Sequence, residues 1–250
     1  MGYADGIESG QLPKVNAFSI IDGGQHIAAT DQGLYFSLDQ GRTWRAYEGY
    51  RLPTTMVSKT DQGLVYAFVV TKGLLQLDND RNKWRIINNE FGSQILRQLS
   101  ISTETPTRMV ALNQYGKFLV SENDGVEWHK LQGPYKAGSP AEKRGQILYA
   151  QKCQSCHGKN GVGETYNIQA LTDKAYIMAP ALDASAHAWH HTDEALVKTI
   201  LEGSPRAPRM LAWGKAGVSE EDAIDLVSYM KSLWTKRELD CQGPKHMQCM

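Results

Sequence analysis

Five adjacent residues in the second half of the chain have the types and spacing to hold a cofactor: Cys153, Gln154, Ser155, Cys156 and His157. The spacing C-x-x-C-H is the attachment signal of a c-type haem. Each thiol can add across one haem vinyl group, and the adjacent imidazole can bind the iron. A zinc site or a redox dithiol would use the same residue types.

The surrounding sequence bears on these alternatives. A four-ligand zinc site needs a second ligand pair, and Cys241 and Cys249, eight residues apart near the C-terminus, suit a zinc ribbon poorly. A thioredoxin-type dithiol would follow a strand, whereas the sequence around Cys153 has a helical pattern. We therefore expect one haem c, covalently bound at Cys153 and Cys156.

Two helix starts are predicted around the motif. Ser139 and Ser219 have the residue type of an N-cap, and each is followed three positions later by an acidic residue, Glu142 and Asp222, as in a capping box. Apolar residues then recur at helical spacing through residues 219–235. One helix therefore leads into the motif, and the other closes the region.

This region resembles the small monohaem cytochrome c fold. In that family the first and last helices cross where a glycine meets an aromatic residue, and Gly145, Tyr149 and Tyr229 match this arrangement. A short glycine-rich loop follows the haem motif in the family, as residues 158–163 do here. The resemblance implies an all-α cytochrome c domain, which we predict over residues 140–236.

The resemblance also implies the residues on both sides of the haem. The ring of His157 would bind the iron and bond to the carbonyl of Pro180, in a turn where Ala179 replaces the usual glycine. Met210, in the pattern M-x-x-W-G with Trp213, would be the sixth ligand. Pro180 and Trp213 are accordingly predicted to contact the haem.

Other residues compete for the sixth position. Met178 precedes the predicted proline turn and would face the proximal side. His187, His190 and His191 form a cluster that could bind a metal, but they precede a capped helical pattern and are interpreted as a loop. His246 stands in a polar tail, where we expect no special role.

An iron with both axial positions filled has no open site for a substrate. The pattern therefore favours an electron carrier over an enzyme, with a dehydrogenase, an oxidase or another cytochrome as the redox partner. One alternative is a redox enzyme or dehydrogenase subunit whose N-terminal half binds substrate. Another is an assembly factor that contains a haem sensor.

The composition excludes other classes of protein. Lys plus Arg and Asp plus Glu each number 27 in 250 residues, and no basic run occurs, so nucleic acid is not an expected partner. No apolar stretch reaches the roughly 18 residues of a membrane span. Haem attachment in the resembled family occurs outside the cytoplasm, so we expect a periplasmic or otherwise exported protein with a disulfide between Cys241 and Cys249. Residues 1–12 lack a signal-peptide pattern, so we expect that signal to be missing from this sequence.

The N-terminal half, residues 12–132, contains a repeat of short strand-like runs. Trp44, Trp84 and Trp128 lie 40 and 44 residues apart, and S-L-D-Q-G-R-T-W and S-E-N-D-G-V-E-W end at the first and third of them. Both sequences resemble the Asp-box, S-x-D-x-G-x-T-W, of sialidase-type β-propellers. In that family the box is a structural turn without catalytic residues. The resemblance implies an all-β partial propeller of about three blades.

Three blades are fewer than the roughly four to eight of typical propellers. We favour further blades upstream; the alternatives are a homodimer formed through the propeller, or an open stack covered by the cytochrome domain or a partner. The propeller would serve as a docking module. Two prolines and two glycines within residues 131–141 predict a domain boundary there, with the linker at 133–139. Residues 237–250 are predicted to be a disulfide-containing tail.

Overall fold

Antiparallel strands make up the first half of the chain and helices the second. The computed structural model describes residues 6–78, 83–102, 107–131 and 138–249. These residues form two compact units. The first contains the described residues up to 131 except 90–93, and the second contains 90–93 and 138–249. The predicted order, an all-β part followed by an all-α part, is confirmed. Most of the predicted linker, 133–139, lies outside the described residues, so its bounds stay a prediction.

Three antiparallel sheets form the first unit, each built on four consecutive strands. The first contains β1 (Ile7–Glu8), β2 (Val15–Ile20), β3 (His26–Thr30), β4 (Gly33–Ser37) and β5 (Thr43–Ala46). The second contains β6 (Thr54–Lys59), β7 (Val65–Val69), β8 (Gly73–Asp78) and β9 (Lys83–Asn88). The third contains β10 (Leu96–Ile101), β11 (Met109–Asn113), β12 (Phe118–Ser121) and β13 (His129–Lys130). The sheets correspond to the three predicted repeats.

The core of this unit lies between neighbouring sheets. All five residues of β7, Val-Tyr-Ala-Phe-Val, are buried, as expected for a strand covered on both faces. Ile27 and Leu34 of the first sheet belong to the same apolar cluster as Val65 and Leu75 of the second. Strand β1 adds to the outer edge of the first sheet by pairing with β5.

Side-chain hydrogen bonds hold the loop between β4 and β5, which contains the first Asp-box-like sequence. The Asp39 carboxylate accepts from the Thr43 backbone N–H at 2.9 Å and from its hydroxyl at 2.7 Å. The Trp44 indole donates to the Gly41 carbonyl at 3.0 Å. The third repeat conserves this geometry with an amide, since Asn123 Oδ1 accepts from the Glu127 N–H at 2.9 Å. Part of the middle copy, residues 79–82, lies outside the described residues.

The second unit is helical. Its helices are α1 (Pro140–Lys152), α2 (Gln154–His157), α3 (Ile168–Thr172), α4 (Asp193–Glu202), α5 (Glu220–Ser232) and α6 (Lys236–Asp240). Both predicted capping boxes are confirmed, with Ser139 and Ser219 accepting from the backbone of Glu142 and Asp222. None of the helices in the described ranges has the length and apolarity needed to cross a bilayer.

Helices α1 and α5 pack at the predicted crossing. The rings of Tyr149 and Tyr229 lie 5.0 Å apart and are both fully buried. Arg144 makes a two-pronged bond to Asp225, at 2.6 and 2.9 Å, beside the crossing. The helix that ends at the cysteine motif is thereby anchored to the last long helix.

Candidate haem site

Helix geometry presents the two motif cysteines together. Cys153 is the C-cap of α1, and its carbonyl accepts from the His157 N–H at 2.9 Å, so the chain continues directly into the turn of α2. Residues three apart on such a turn lie on one side of it, which gives Cys153 and Cys156 the spacing for two attachment points. Both thiols are free, and Cys156 is exposed.

The state of the Cys153 thiol argues against a redox dithiol. Burial, with a smaller contribution from Cys156, raises the pKa of Cys153 to about 11. A reactive dithiol needs the opposite shift, since its thiolate is the nucleophile. Among the described residues, no group of three or more His, Cys, Asp or Glu side chains is arranged to hold a metal ion.

The His157 ring is buried, and a hydrogen bond at Nδ1 fixes its orientation. Its Nδ1 lies 2.8 Å from the Pro180 carbonyl oxygen, the partner that the resemblance implies. Such a bond makes Nδ1 the donor and leaves Nε2 as the nitrogen available to a metal. Burial lowers the pKa of His157, which the bond to Pro180 partly offsets. The neutral imidazole is the form that binds iron.

Backbone pairing fixes the position of Pro180. The Glu164 N–H donates to the Ala179 carbonyl at 3.0 Å, and the Leu182 N–H donates to the Gly161 carbonyl at 2.7 Å. Ala179 is not among the described residues with positive φ, so alanine fits where the family usually has glycine. The glycine-rich loop and the proline turn thus support each other.

Trp234 adds a contact that sequence reasoning missed. Its indole donates to the Leu182 carbonyl at 2.9 Å, and the side chain is buried. A buried tryptophan needs a partner for its N–H, and that requirement was the available signal.

Met210 lies in a proline-containing loop between α4 and the short turn that starts at Trp213. Its N–H donates to the Ala207 carbonyl at 2.8 Å. Gly203, with a φ of 79°, lies so close that a Cβ there would be 2.8 Å from the Met210 carbonyl oxygen. Trp213 packs on the helical core, with the Lys152 ammonium 5.8 Å from its ring centroid. Trp213 is therefore brought to the end of α1, next to the cysteine motif.

A second missed feature connects the neighbours of these residues. Arg209 donates to both carboxylate oxygens of Glu164, at 2.8 and 3.0 Å, and its guanidinium lies 4.7 Å from the Tyr176 ring centroid. Burial opposes ionisation of Glu164, but the bonds from Arg209, Tyr176 and Ala179 outweigh it, so the pKa of Glu164 is lowered. Arg209 is thus bonded within the helical unit.

Four other histidines of the helical unit lie close together in space. The rings of His187 and His191 have centroids 5.8 Å apart, and His190 stacks on His246 at 4.5 Å. The sequence did not predict this contact between His246 of the tail and His190. The predicted disulfide between Cys241 and Cys249 is present, with Cα atoms 6.1 Å apart.

The residues present fit a haem c. Two unpaired thiols and an oriented imidazole supply the attachment groups and the proximal ligand. Ile177, three residues before Pro180, and Leu211, next to Met210, are 49% and 56% exposed. Large apolar side chains on such segments suit contact with a porphyrin. Met178 is half-buried, as is Met210, and remains the alternative sixth ligand.

Comparisons with known proteins agree with this assignment. Residues 140–230 match the family model described as cytochrome c oxidase, cbb3-type, subunit III. The sequence matches no curated protein.

Solved β-propeller structures resemble part of the chain at low similarity. They include YCF48 bound to a D1 peptide, with 18% identity over 48% of this chain and 40% of that one, and a TM-score of 0.33. A GH74 enzyme from Niastella koreensis has 13% identity over 43% of this chain and 17% of its own, with a TM-score of 0.34. The GH74 xyloglucanase from Xanthomonas campestris has 17% identity over 43% and 19%, with a TM-score of 0.33. The match thus spans less than half the length of each of these structures.

Strand order, helix crossing and the bonded histidine lead to one description of the architecture. The chain joins an all-β unit of three antiparallel sheets to a helical unit, in which residues 140–230 match a cytochrome c family model.

Proposed function

We propose that this chain transfers electrons through one covalently bound haem c, held by Cys153 and Cys156 with His157 and Met210 as axial ligands. The observation that carries the proposal is the 2.8 Å bond between the His157 ring and the Pro180 carbonyl. That bond orients the imidazole and increases its basicity. Metal-binding histidines typically donate their second ring N–H in this way.

The bound haem would supply a one-electron couple. The protein would hold the imidazole by the Pro180 carbonyl and keep that turn in place through Trp234. A thioether on the distal side raises the reduction potential relative to a second histidine. With both axial positions filled, the site would pass electrons without binding a substrate at the iron.

The β unit would serve as the docking module for a redox partner protein. Phe18 and Ile20 of β2 are 49% and 57% exposed, and Phe118 of β12 is 52% exposed. Large apolar side chains on a soluble surface commonly mark contact sites. A homodimer formed through this unit is the competing arrangement, and sedimentation of the haem-loaded protein would distinguish the two.

Export is part of the same proposal. The Cys241–Cys249 disulfide supports an oxidising compartment, where thioether formation in c-type cytochromes also takes place.

The haem and its ligands can be tested together. The chain would be produced with a c-type haem maturation system, and the pyridine haemochrome spectrum would give the haem type and number. We expect one haem c per chain, lost from covalent attachment in the Cys153→Ala/Cys156→Ala variant.

The distal ligand needs a matched pair of variants. Met210→Leu should remove the Met-to-iron charge-transfer band of the oxidised protein, while Met178→Leu should retain it. The reverse result would assign the ligand to Met178.

A further inference from the structure

Arg209 and Glu164 connect two segments that are far apart in sequence and lie next to the proposed ligands. Arg209 immediately precedes Met210, and its guanidinium forms a two-pronged bond with the Glu164 carboxylate at 2.8 and 3.0 Å. The Glu164 side chain is 13% exposed and that of Arg209 46%. A planar guanidinium paired in this way fixes direction as well as distance.

Glu164 extends the connection to the proximal side. Its Oε2 also accepts from the Ala179 N–H at 2.8 Å, and Ala179 immediately precedes Pro180, the partner of His157. The Tyr176 hydroxyl donates to the Oε1 at 2.5 Å, while its ring lies under the Arg209 guanidinium. One carboxylate thus bonds to the residue before Met210 and to the residue before Pro180.

We propose that Arg209 and Glu164 are positioning residues that hold the Met210 loop to the Pro180 segment and so control how easily the sixth iron ligand is exchanged. The inference rests on the proposed function, in which Met210 is that ligand. Loop opening would break the two-pronged bond and leave a mostly buried carboxylate without its cation, and this makes the open state costly.

The loop is already restricted from its other end. Gly203 closely approaches the Met210 carbonyl, and Pro205 and Pro208 limit the φ angles of the intervening chain. With that end held, the Arg209 side chain is the contact whose loss would let the Met210 backbone move.

Arg206 provides a matched control within the same loop. It is exposed, and the described part of the structure gives it no hydrogen bond or ion pair. Arg206→Gln therefore removes the same charge as Arg209→Gln from the same loop, four positions before Met210 rather than one, without breaking a contact.

The experiment measures binding of imidazole to the oxidised, haem-loaded full-length protein, together with the Met-to-iron band and the reduction potential. We expect Arg209→Gln to bind imidazole about tenfold more tightly, because the apparent affinity rises with the population of the open loop. The band should weaken and the potential should fall. Arg206→Gln should behave as the wild type in all three measurements.

Two further variants separate positioning from general stability. Arg209→Lys keeps the positive charge but cannot make the two-pronged bond, and should give an intermediate affinity for imidazole. Tyr176→Phe keeps the ring under Arg209 and removes only the hydroxyl, so it should fold even if Arg209→Gln does not, and should shift affinity in the same direction.

Equal imidazole affinity in the Arg209 and Arg206 variants would overturn the proposal, as would a wild-type affinity in both Arg209→Lys and Tyr176→Phe. Absence of haem from the wild-type protein would instead contradict the proposed function. Persistence of the Met-to-iron band in the Met210→Leu variant would do the same.

Discussion

Gly145 lies directly against Asp225 where the first and last long helices cross. A Cβ at position 145 would lie 2.0 Å from the Asp225 carbonyl oxygen and 3.0 Å from the Tyr229 Cβ. The helices can approach this closely only because residue 145 has no side chain. The same approach brings Tyr149 onto Tyr229 and lets the Tyr149 hydroxyl bond the Gly158 carbonyl at 2.8 Å, next to the haem motif.

Gly145→Ala is therefore expected to destabilise the helical unit. The helices must separate to admit the methyl group, and overpacking of this kind costs about 1–3 kcal/mol despite the better helix propensity of alanine. Chemical denaturation followed by helical circular dichroism would measure the change. Gly138→Ala is the control, since its added Cβ would meet only the Glu142 carboxylate, at 3.3 Å. Equal stability of the two variants would contradict the proposed tight crossing.

The loop that contains Asp39 should respond to acid. Bonds from the Thr43 backbone and hydroxyl, and then from Ser37, lower the pKa of Asp39 below its ordinary 3.8. A carboxylate with a lowered folded pKa stabilises the fold above the ordinary value, and that stabilisation is lost as the pH falls through the lowered one. Exchange of the Thr43 amide should therefore lose protection in acid.

Asp39→Asn tests this dependence. The third repeat shows that an amide oxygen can make the same backbone bond, as Asn123 does to Glu127. In the variant, the hydrogen-exchange protection of the Thr43 amide should change with pH no more than that of the Glu127 amide in the same molecule. A wild-type Thr43 amide that follows the Glu127 amide at every pH would contradict the role of Asp39.

Removal of the disulfide should release the C-terminal tail. Cys241 and Cys249 are eight positions apart, and closing so short a loop stabilises a fold by about 2–3 kcal/mol in the chain-entropy description. In Cys241→Ser/Cys249→Ser we expect a loss of that order by chemical denaturation. The ring-proton shifts of His190 should also change, because the stacking on His246 depends on the tail. Unchanged shifts would show that the tail docks without the disulfide.

The same stacking should depend on pH. Burial, followed by the neighbouring His246, His187 and His191, lowers the pKa of His190. A histidine with a lowered folded pKa favours the fold when neutral, so stability falls as the pH drops below the ordinary value of 6.5 toward the folded pKa. Arg237, over the Trp189 ring at 5.5 Å, adds positive charge to this region.

Nuclear magnetic resonance of the His190 ring protons would follow that transition. We expect the His190 ring to lose its shielding by the stacked His246 ring as the pH falls below about 6.5. His187→Gln should keep the transition but move it to higher pH, since one source of repulsion is gone. Shielding that persists in acid would mean that the protonated His190 ring remains stacked.

Local patterns predicted much of this molecule because they depend on neighbouring residues. The caps at Ser139 and Ser219, the repeated strands and the Asp39 loop are set by residues within a few positions of each other. The Gly145 crossing was predicted through resemblance to a family, since nothing local pairs it with Asp225.

Long-range polar contacts were not predictable in the same way. Glu164 and Arg209 are 45 residues apart in irregular segments, where no periodicity relates them. Trp234 and Leu182 are 52 apart, and the acceptor is a backbone carbonyl that any residue type would supply. Stacking of His190 on His246 likewise depends on where the tail folds back.

Strand β1 has a consequence for how the β unit meets other chains. Ile7 and Glu8 pair with Trp44 and Thr43, and the Ser9 N–H donates to the Arg42 carbonyl at 3.1 Å. Strand β5, which follows the Asp39 loop, is thus already hydrogen-bonded along the edge to which an extended peptide from another chain could add. In the part of the chain that the structure describes, the edge that β1 presents is two residues long, which is too short to template a stack of strands. Pairing with β1 thus covers Thr43 and Trp44 of β5 against fibril-like association.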